Sequence, residues 1–136
     1  MILLDTTVLV YAVGADHSLR IPCRDVIEAI GRGDLAATTT VEVIQEFAHV
    51  RARRRSRANA RSTARNFIDL LSPLVEPGAD DLIAGLDLFD RHDSIGAFDA
   101  VLAATVMRRD ELTGLMSADR AFATIDGLHL VDPADG

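Results

Sequence analysis

Apolar residues follow two rhythms along this chain. Short unbroken runs alternate with longer segments in which apolar positions recur every three or four residues, the periods of buried strands and of helices. Ile2 to Leu4 reads as a short buried strand, with Asp5-Thr6-Thr7 as its exit. Val8 to Val13 predicts a brief helix, and Ser18 stands as N-cap of a helix running to about Arg32, where Gly31 and Gly33 stop it. Leu35 to Thr38 is a weak second strand. From about Thr40 a long helix begins, with Val43, Ile44, Phe47, Ala48 and Val50 as its apolar face, and it ends in an arginine-rich stretch near Arg55. A further helix spans roughly Arg57 to Leu71, before Pro73. Leu74 and Val75 form a candidate short strand bounded by Pro77-Gly78. Ala79 to Arg91 and Gly96 to Arg109 read as two more helices. Gly114 to Asp119 is a strand and its exit, and Leu128 to Val131 a last strand before Pro133.

Short apolar strands separated by helices imply an α/β fold, a mainly parallel sheet of four to five short strands sandwiched between helices. In such sheets the functional crevice lies beyond the carboxyl ends of the strands. Asp5 and Asp119 both stand immediately after predicted strands.

Length and composition add boundaries. A chain of 136 residues fits one domain, 1–136, and no internal repeat or linker divides it. The lone Cys23 cannot form an internal bridge, which suits a reducing compartment, and a small apolar filler is its expected role. The apolar N-terminus lacks the basic segment of a signal peptide, and no run reaches the roughly 18 uncharged residues of a membrane helix. A cytoplasmic protein with no membrane partner is the expectation. The net charge of −7 argues at first against a nucleic-acid partner. Its distribution says more. All 14 basic residues are arginine, and Arg51, Arg53, Arg54, Arg55, Arg57, Arg61 and Arg65 crowd into one stretch. The missing lysine excludes a P-loop and Schiff-base chemistry.

Asp99 is the most informative residue. It is the only charge within Ile95 to Met107, a segment apolar on every side and therefore buried. An unpaired carboxylate there costs several kcal/mol or is driven neutral. Helix capping, pairing with an arginine, and a place in a metal crevice are three competing readings. Asp5 poses the same question as the one charge between Met1 and Val13, and the hydroxyls of Thr6 and Thr7 lie beside it. On the long helix Glu42, Glu46, His49 and Arg53 form one polar stripe, and spacing alone does not choose between the two glutamates. Asp119, with Ser117 two residues earlier, is weak taken singly. The set is stronger than its members. Carboxylates converging at one crevice repel one another and stay ionised only with divalent cations, and all-oxygen ligands select Mg²⁺ or Mn²⁺ over zinc. Such an ion promotes phosphodiester hydrolysis without a covalent nucleophile.

These motifs resemble those of PIN-domain ribonucleases, and more narrowly of VapC-type toxins from toxin–antitoxin pairs. Ile2-Leu-Leu-Asp-Thr-Thr-Val8 looks like the family's opening strand and Asp-Thr signature. Val43-Ile-Gln-Glu46-Phe47 resembles its helical glutamate motif, which selects Glu46 over Glu42. Phe98-Asp99-Ala-Val-Leu-Ala-Ala104 is similar to the third motif, and Ser117-Ala-Asp119-Arg-Ala-Phe122 to the fourth. The resemblance implies a PIN-like three-layer α/β/α sandwich and Mg²⁺-dependent RNA cleavage, with Mn²⁺ as a substitute. It implies Asp5, Glu46, Asp99 and Asp119 as catalytic metal ligands, a VapB-type antitoxin as partner, and a homodimer that assembles into a toxin–antitoxin hetero-oligomer. Thr6, Thr7, Ser117, Arg53, Arg54 and Arg55 are then candidate substrate contacts, the arginines lying at the groove's rim.

Two rival readings differ in class. One is a PIN-fold module that binds an antitoxin or RNA without turnover, against which the intact set of four acids argues. The other is aspartyl-phosphate chemistry at Asp5, which wants a second aspartate where Thr7 stands and a lysine that the chain does not have.

Overall fold

Leu3 and Leu4 are shielded completely from solvent, as a strand covered on both faces and flanked on both edges requires. They belong to β1 (Ile2–Leu4), one of the two inner strands of a sheet that the computed structural model, describing residues 1–135, builds from four short strands. β2 (Ala37–Thr38) and β3 (Gly114–Met116) pair with β1 on either side, and β4 (Leu130–Val131) pairs with β3. The order is β2-β1-β3-β4 and every pairing is parallel. Leu4 lies opposite Met116, so the residues that follow β1 and β3 emerge side by side at one end of the sheet.

Parallel neighbours need crossover connections, and helices supply them. α1 (Thr6–Ala12) and α2 (Arg20–Gly31) join β1 to β2, while α3 (Val41–Arg54), α4 (Arg57–Leu71), α5 (Ala79–Arg91) and α6 (Ala97–Met107) join β2 to β3. A short 3₁₀ helix, Arg120–Thr124, leads towards β4. The parallel sheet between helices expected from the pattern, and the PIN-like α/β/α layering that the resemblance implies, are the ones observed.

Local chemistry sets the helix bounds. Thr40 caps α3 by accepting the Val43 N–H at 3.0 Å, and Ser56 caps α4 by accepting that of Asn59 at 3.0 Å. Arg51, Arg53 and Arg54 occupy the last turn of α3, where positive charge suits the helix dipole. Gly33, at φ +81°, follows the end of α2 in the left-handed conformation that favours glycine. The two middle helices pack through perpendicular rings of Phe47 and Phe67, 5.1 Å apart.

Three expectations need correction. Ser18 is not the cap of α2. The His17 ring takes the Leu19 N–H at 3.1 Å, and the helix starts at Arg20. Thr6 and Thr7 are not a loop after β1 but the first residues of α1, because Asp5 already stands at the N-cap position with extended backbone. Leu74-Val75 does not form a strand. Val75 makes a single parallel bridge, donating to Thr39 at 2.9 Å and accepting from Val41 at 3.2 Å.

α5 and α6 form a tight antiparallel hairpin that fixes the start of α6. Asp81 accepts from both terminal nitrogens of Arg109, at 2.8 and 3.0 Å, from Arg108 at 3.2 Å, and from the Gly78 N–H at 2.8 Å. These partners pull its carboxyl down to about 2. Gly85 permits the close approach, since a β-carbon there would stand 2.5 Å from the Val101 α-carbon. Cys23 is buried, and burial pushes its thiol up to about 11, as expected of inert filler.

Candidate active site

Asp5 leaves the sheet at the carboxyl end of β1 and is only 3% exposed. A carboxylate so placed needs donors. Ser117, at the corresponding end of β3, donates to Asp5 Oδ2 at 2.6 Å, and Thr7, the second residue of α1, donates to the same oxygen at 3.1 Å. The two hydroxyls lie 3.3 Å apart. Ser117 Oγ also accepts the Asp119 N–H at 3.0 Å, and Thr7 Oγ1 the Ala118 N–H at 3.1 Å. The parallel register of β1 and β3 thus locks Asp5 to the backbone that carries Asp119. Burial raises the Asp5 carboxyl above the usual range and the nearby Asp119 charge adds to this, while Ser117, the Thr6 backbone and Thr7 pull it back.

Asp99 reaches the same place from the first turn of α6. It does not cap its helix, and among the described residues it has no arginine partner. Two of its three readings therefore fall away. Burial, followed by the charges of Asp5, Asp119 and Glu46, pushes its carboxyl up to about 7. Each of the other three acids acts on Asp99, so the four share one electrostatic neighbourhood. They line a crevice of about 270 Å³. Asp119 is exposed at its rim, where its Oδ1 also accepts the Ala121 N–H at 2.9 Å and caps the 3₁₀ helix.

Glu46 faces this crevice and Glu42 does not. Glu42 lies over a separate apolar groove beside Pro77, Leu82 and Phe98, with one carboxylate oxygen buried and unpaired among the described residues. The stripe of α3 that lines the crevice is Glu46, Val50 and Arg54, a spacing of four, rather than Glu46, His49 and Arg53. Of the three candidate arginines only Arg54 lines the crevice. Arg53 faces a neighbouring groove of about 430 Å³ with His49, Arg57 and Arg61 over a floor of alanines. Arg55 lines neither groove and stands at the exposed end of α3. Arg51 is structural: it donates to Asn59 at 2.7 Å and to the Val13 carbonyl at 2.8 Å, tying α3 to α4 and to the end of α1. One residue of helix is 100° of rotation, which is why neighbouring arginines part company.

Thr6 and Thr7 line the crevice. Ser117 is wholly buried, so it orients Asp5 and does not touch a substrate. The sequence reading missed Val10, Tyr11 and Val50, which complete the walls. Helical spacing carried the signal: Val10 and Tyr11 follow Thr7 by three and four residues, and Val50 follows Glu46 by four.

The donor set fits a hard divalent cation. Four carboxylates surround one space, and the Thr6 hydroxyl at its wall is buried with no partner among the described residues. Among those residues no three acidic, histidine or cysteine groups close into a ready-made cage. Mg²⁺ does not require one, since it keeps several waters and is commonly held by one or two carboxylates.

Sheet order, crevice position and acidic set together define the PIN class. The chain belongs to the PIN-domain family, whose model matches residues 2–128. Its relatives are VapC ribonucleases. Ribonuclease VapC7 of Mycobacterium tuberculosis is 51% identical across 100% of this chain and 94% of its own. Ribonuclease VapC23 of the same species is 32% identical across 91% of this chain and 97% of its own. In fold, the chain is similar to a VapBC2 structure from Rickettsia felis bound to a promoter DNA fragment, with a TM-score of 0.74, 17% identity, and coverage of 97% and 98% of the two chains. Among the described residues no helix is long and apolar enough to cross a membrane.

Proposed function

We propose that this protein is a Mg²⁺-dependent endoribonuclease and the toxin of a VapBC-type toxin–antitoxin pair, acting in the cytoplasm. The observation that carries the reading is Asp99, whose carboxyl is driven to about 7 by burial and by three other acids around one crevice. Nothing in a protein held together by its own contacts needs that arrangement, whereas a cation-assisted phosphodiesterase does. The VapC ribonuclease relatives supply the substrate class.

Asp5, Glu46, Asp99 and Asp119 would hold the ion, with Mn²⁺ as a substitute. When bound, it supplies positive charge that offsets the phosphodiester's and lowers the pKa of water for hydrolysis. Ser117 and Thr7 hold the Asp5 carboxylate in one orientation through Oδ2. Asp99 carries a proton up to about neutral pH in the ion-free protein, so loading the site releases it. Arg54 draws the phosphate backbone into an otherwise acidic crevice. The Arg53, Arg57 and Arg61 groove, on the adjoining face of α3, extends the path of the strand. Ser117, the hydroxyl closest to Asp5, is buried and already engaged, so hydrolysis by water rather than by a protein nucleophile fits the crevice.

A VapB-type antitoxin and a second copy of the chain are the expected partners. Leu82, Leu86 and Phe89 share one face of α5 and lie exposed, as does Phe98 on α6, an apolar surface of the kind that assembly buries. The test of function is expression of the wild type beside Asp5→Ala in a bacterial host, with RNA 5′ ends mapped across the transcriptome. Discrete new ends with the wild type alone are expected. Identical end profiles for the two proteins would contradict the nuclease reading and favour a module that binds without cutting.

A further inference from the structure

Among the described residues Tyr11 is the one aromatic side chain on the wall of the acidic crevice. The chain has a single tyrosine, five phenylalanines and no tryptophan. Phe47, Phe67 and Phe122 are buried in the core, and Phe89 and Phe98 are exposed on α5 and α6, where Phe98 borders the apolar groove. Tyr11 alone stands half-buried beside the four carboxylates. Its ring is stacked on that of His17, with centroids 4.5 Å apart and planes 25° from parallel. His17 is exposed, and its ring is held in place separately, through the Leu19 N–H on Nδ1 at 3.1 Å. The stack is thus built from both sides: Tyr11 is fixed by α1 and His17 by the turn that starts α2.

A pair of aromatic rings with one solvent-facing member, at the edge of a site for phosphodiester chemistry, has the form of a nucleobase platform. We propose that Tyr11 and His17 form a stacking step that seats one unpaired base next to the cleaved phosphate, and so confine cutting to single-stranded or splayed nucleotides. The inference rests on the nuclease reading and adds a substrate requirement to it. The division of labour is then complete around the crevice: carboxylates and their ion at the phosphate, Arg54 on the neighbouring charge, and the aromatic step on the base. Stacking tolerates any base because each has a π face, so the step selects exposed nucleotides rather than a sequence.

The test uses a short single-stranded RNA spanning a mapped cut, and the same RNA with an abasic nucleotide on either side of that cut. Tyr11→Leu is expected to raise KM on the intact RNA by roughly 5- to 150-fold with a much smaller change in kcat, the range that loss of one stacked base gives. His17→Ala, at an exposed position and with its melting temperature checked because the ring also takes the Leu19 N–H, shifts KM in the same direction, and Tyr11→Phe retains wild-type KM. On the RNA lacking the stacked base, wild type and Tyr11→Leu converge. The sole tyrosine also provides a direct signal, since its emission in Asp99→Asn protein changes when the uncut RNA is added in EDTA. Equal losses on intact and abasic RNA, or an emission that stays constant at saturating RNA, would overturn the stacking step while leaving the nuclease reading in place. A wild type that cuts no RNA overturns the nuclease reading and this inference with it.

Discussion

At the scale of single residues, the site depends on how Asp5 and Asp99 are treated differently by their surroundings. Asp5 is the more buried of the two, yet Ser117 and Thr7 donate to it and oppose its rise. Asp99 has no such donors among the described residues and rises to about 7. A carboxyl raised on folding contributes stability that is complete below its unfolded value, near 3.8, and is lost as pH climbs through about 7. The ion-free protein should therefore unfold at lower temperature at pH 8 than at pH 5. Asp81, held down at about 2, stays ionised across that window and adds no slope. Asp99→Asn should flatten the dependence by on the order of 1 kcal/mol, after allowance for the partial exposure of the group. Thermal melts in EDTA at the two pH values check this, and equal slopes for wild type and variant would contradict it. Asp99 was legible in the sequence because a charge inside an oily helix has few explanations. Tyr11 was not, because its place on the crevice wall requires knowing that α1 already begins at Thr6.

At the scale of elements, the α5–α6 hairpin aims Asp99. Gly85→Ala would put a β-carbon 2.5 Å from the backbone of Val101, where no flexible side chain can yield. The helices must separate, at a cost of about 1–3 kcal/mol, and the start of α6 moves with them. Chemical denaturation should register the loss of stability, and cleavage should fall although residue 85 lies outside the crevice. A variant as stable as the wild type would show that the close approach is not needed. Element bounds were most readable where side chains cap the backbone or proline interrupts it: Arg57–Leu71 is preceded by Ser56 and followed by Pro73. They were least readable where an unexpected group takes the N–H, as His17 does ahead of α2. The rotation of α3 was also hidden, and with it the separation of Arg54 from Arg53 and Arg55, since an amphipathic pattern fixes a helix face only to within a residue or so.

At the scale of the whole molecule, the proposed function asks an acidic protein with a net charge of −7 to bind a polyanion, which arrangement rather than total charge must allow. Arginines gather along one side of α3 and α4, four carboxylates line one crevice, and apolar residues of α5 and α6 lie exposed. Leu86→Asp, in the middle of that apolar face, should shift a dimer towards monomer in light scattering without altering the crevice. An unchanged mass for variant and wild type alike would place the assembly surface elsewhere. The most direct test of the whole account is cleavage of a single RNA by purified protein. Wild type in Mg²⁺ should cut, and the Mg²⁺ concentration that gives half the full rate should fall as pH rises, because the ion displaces the Asp99 proton. Wild type in EDTA and Asp99→Asn in Mg²⁺ should both be inert. Cleavage by the Asp99→Asn protein at the parent rate would contradict the account, because the residue on which every other acid converges would then have no part in the chemistry.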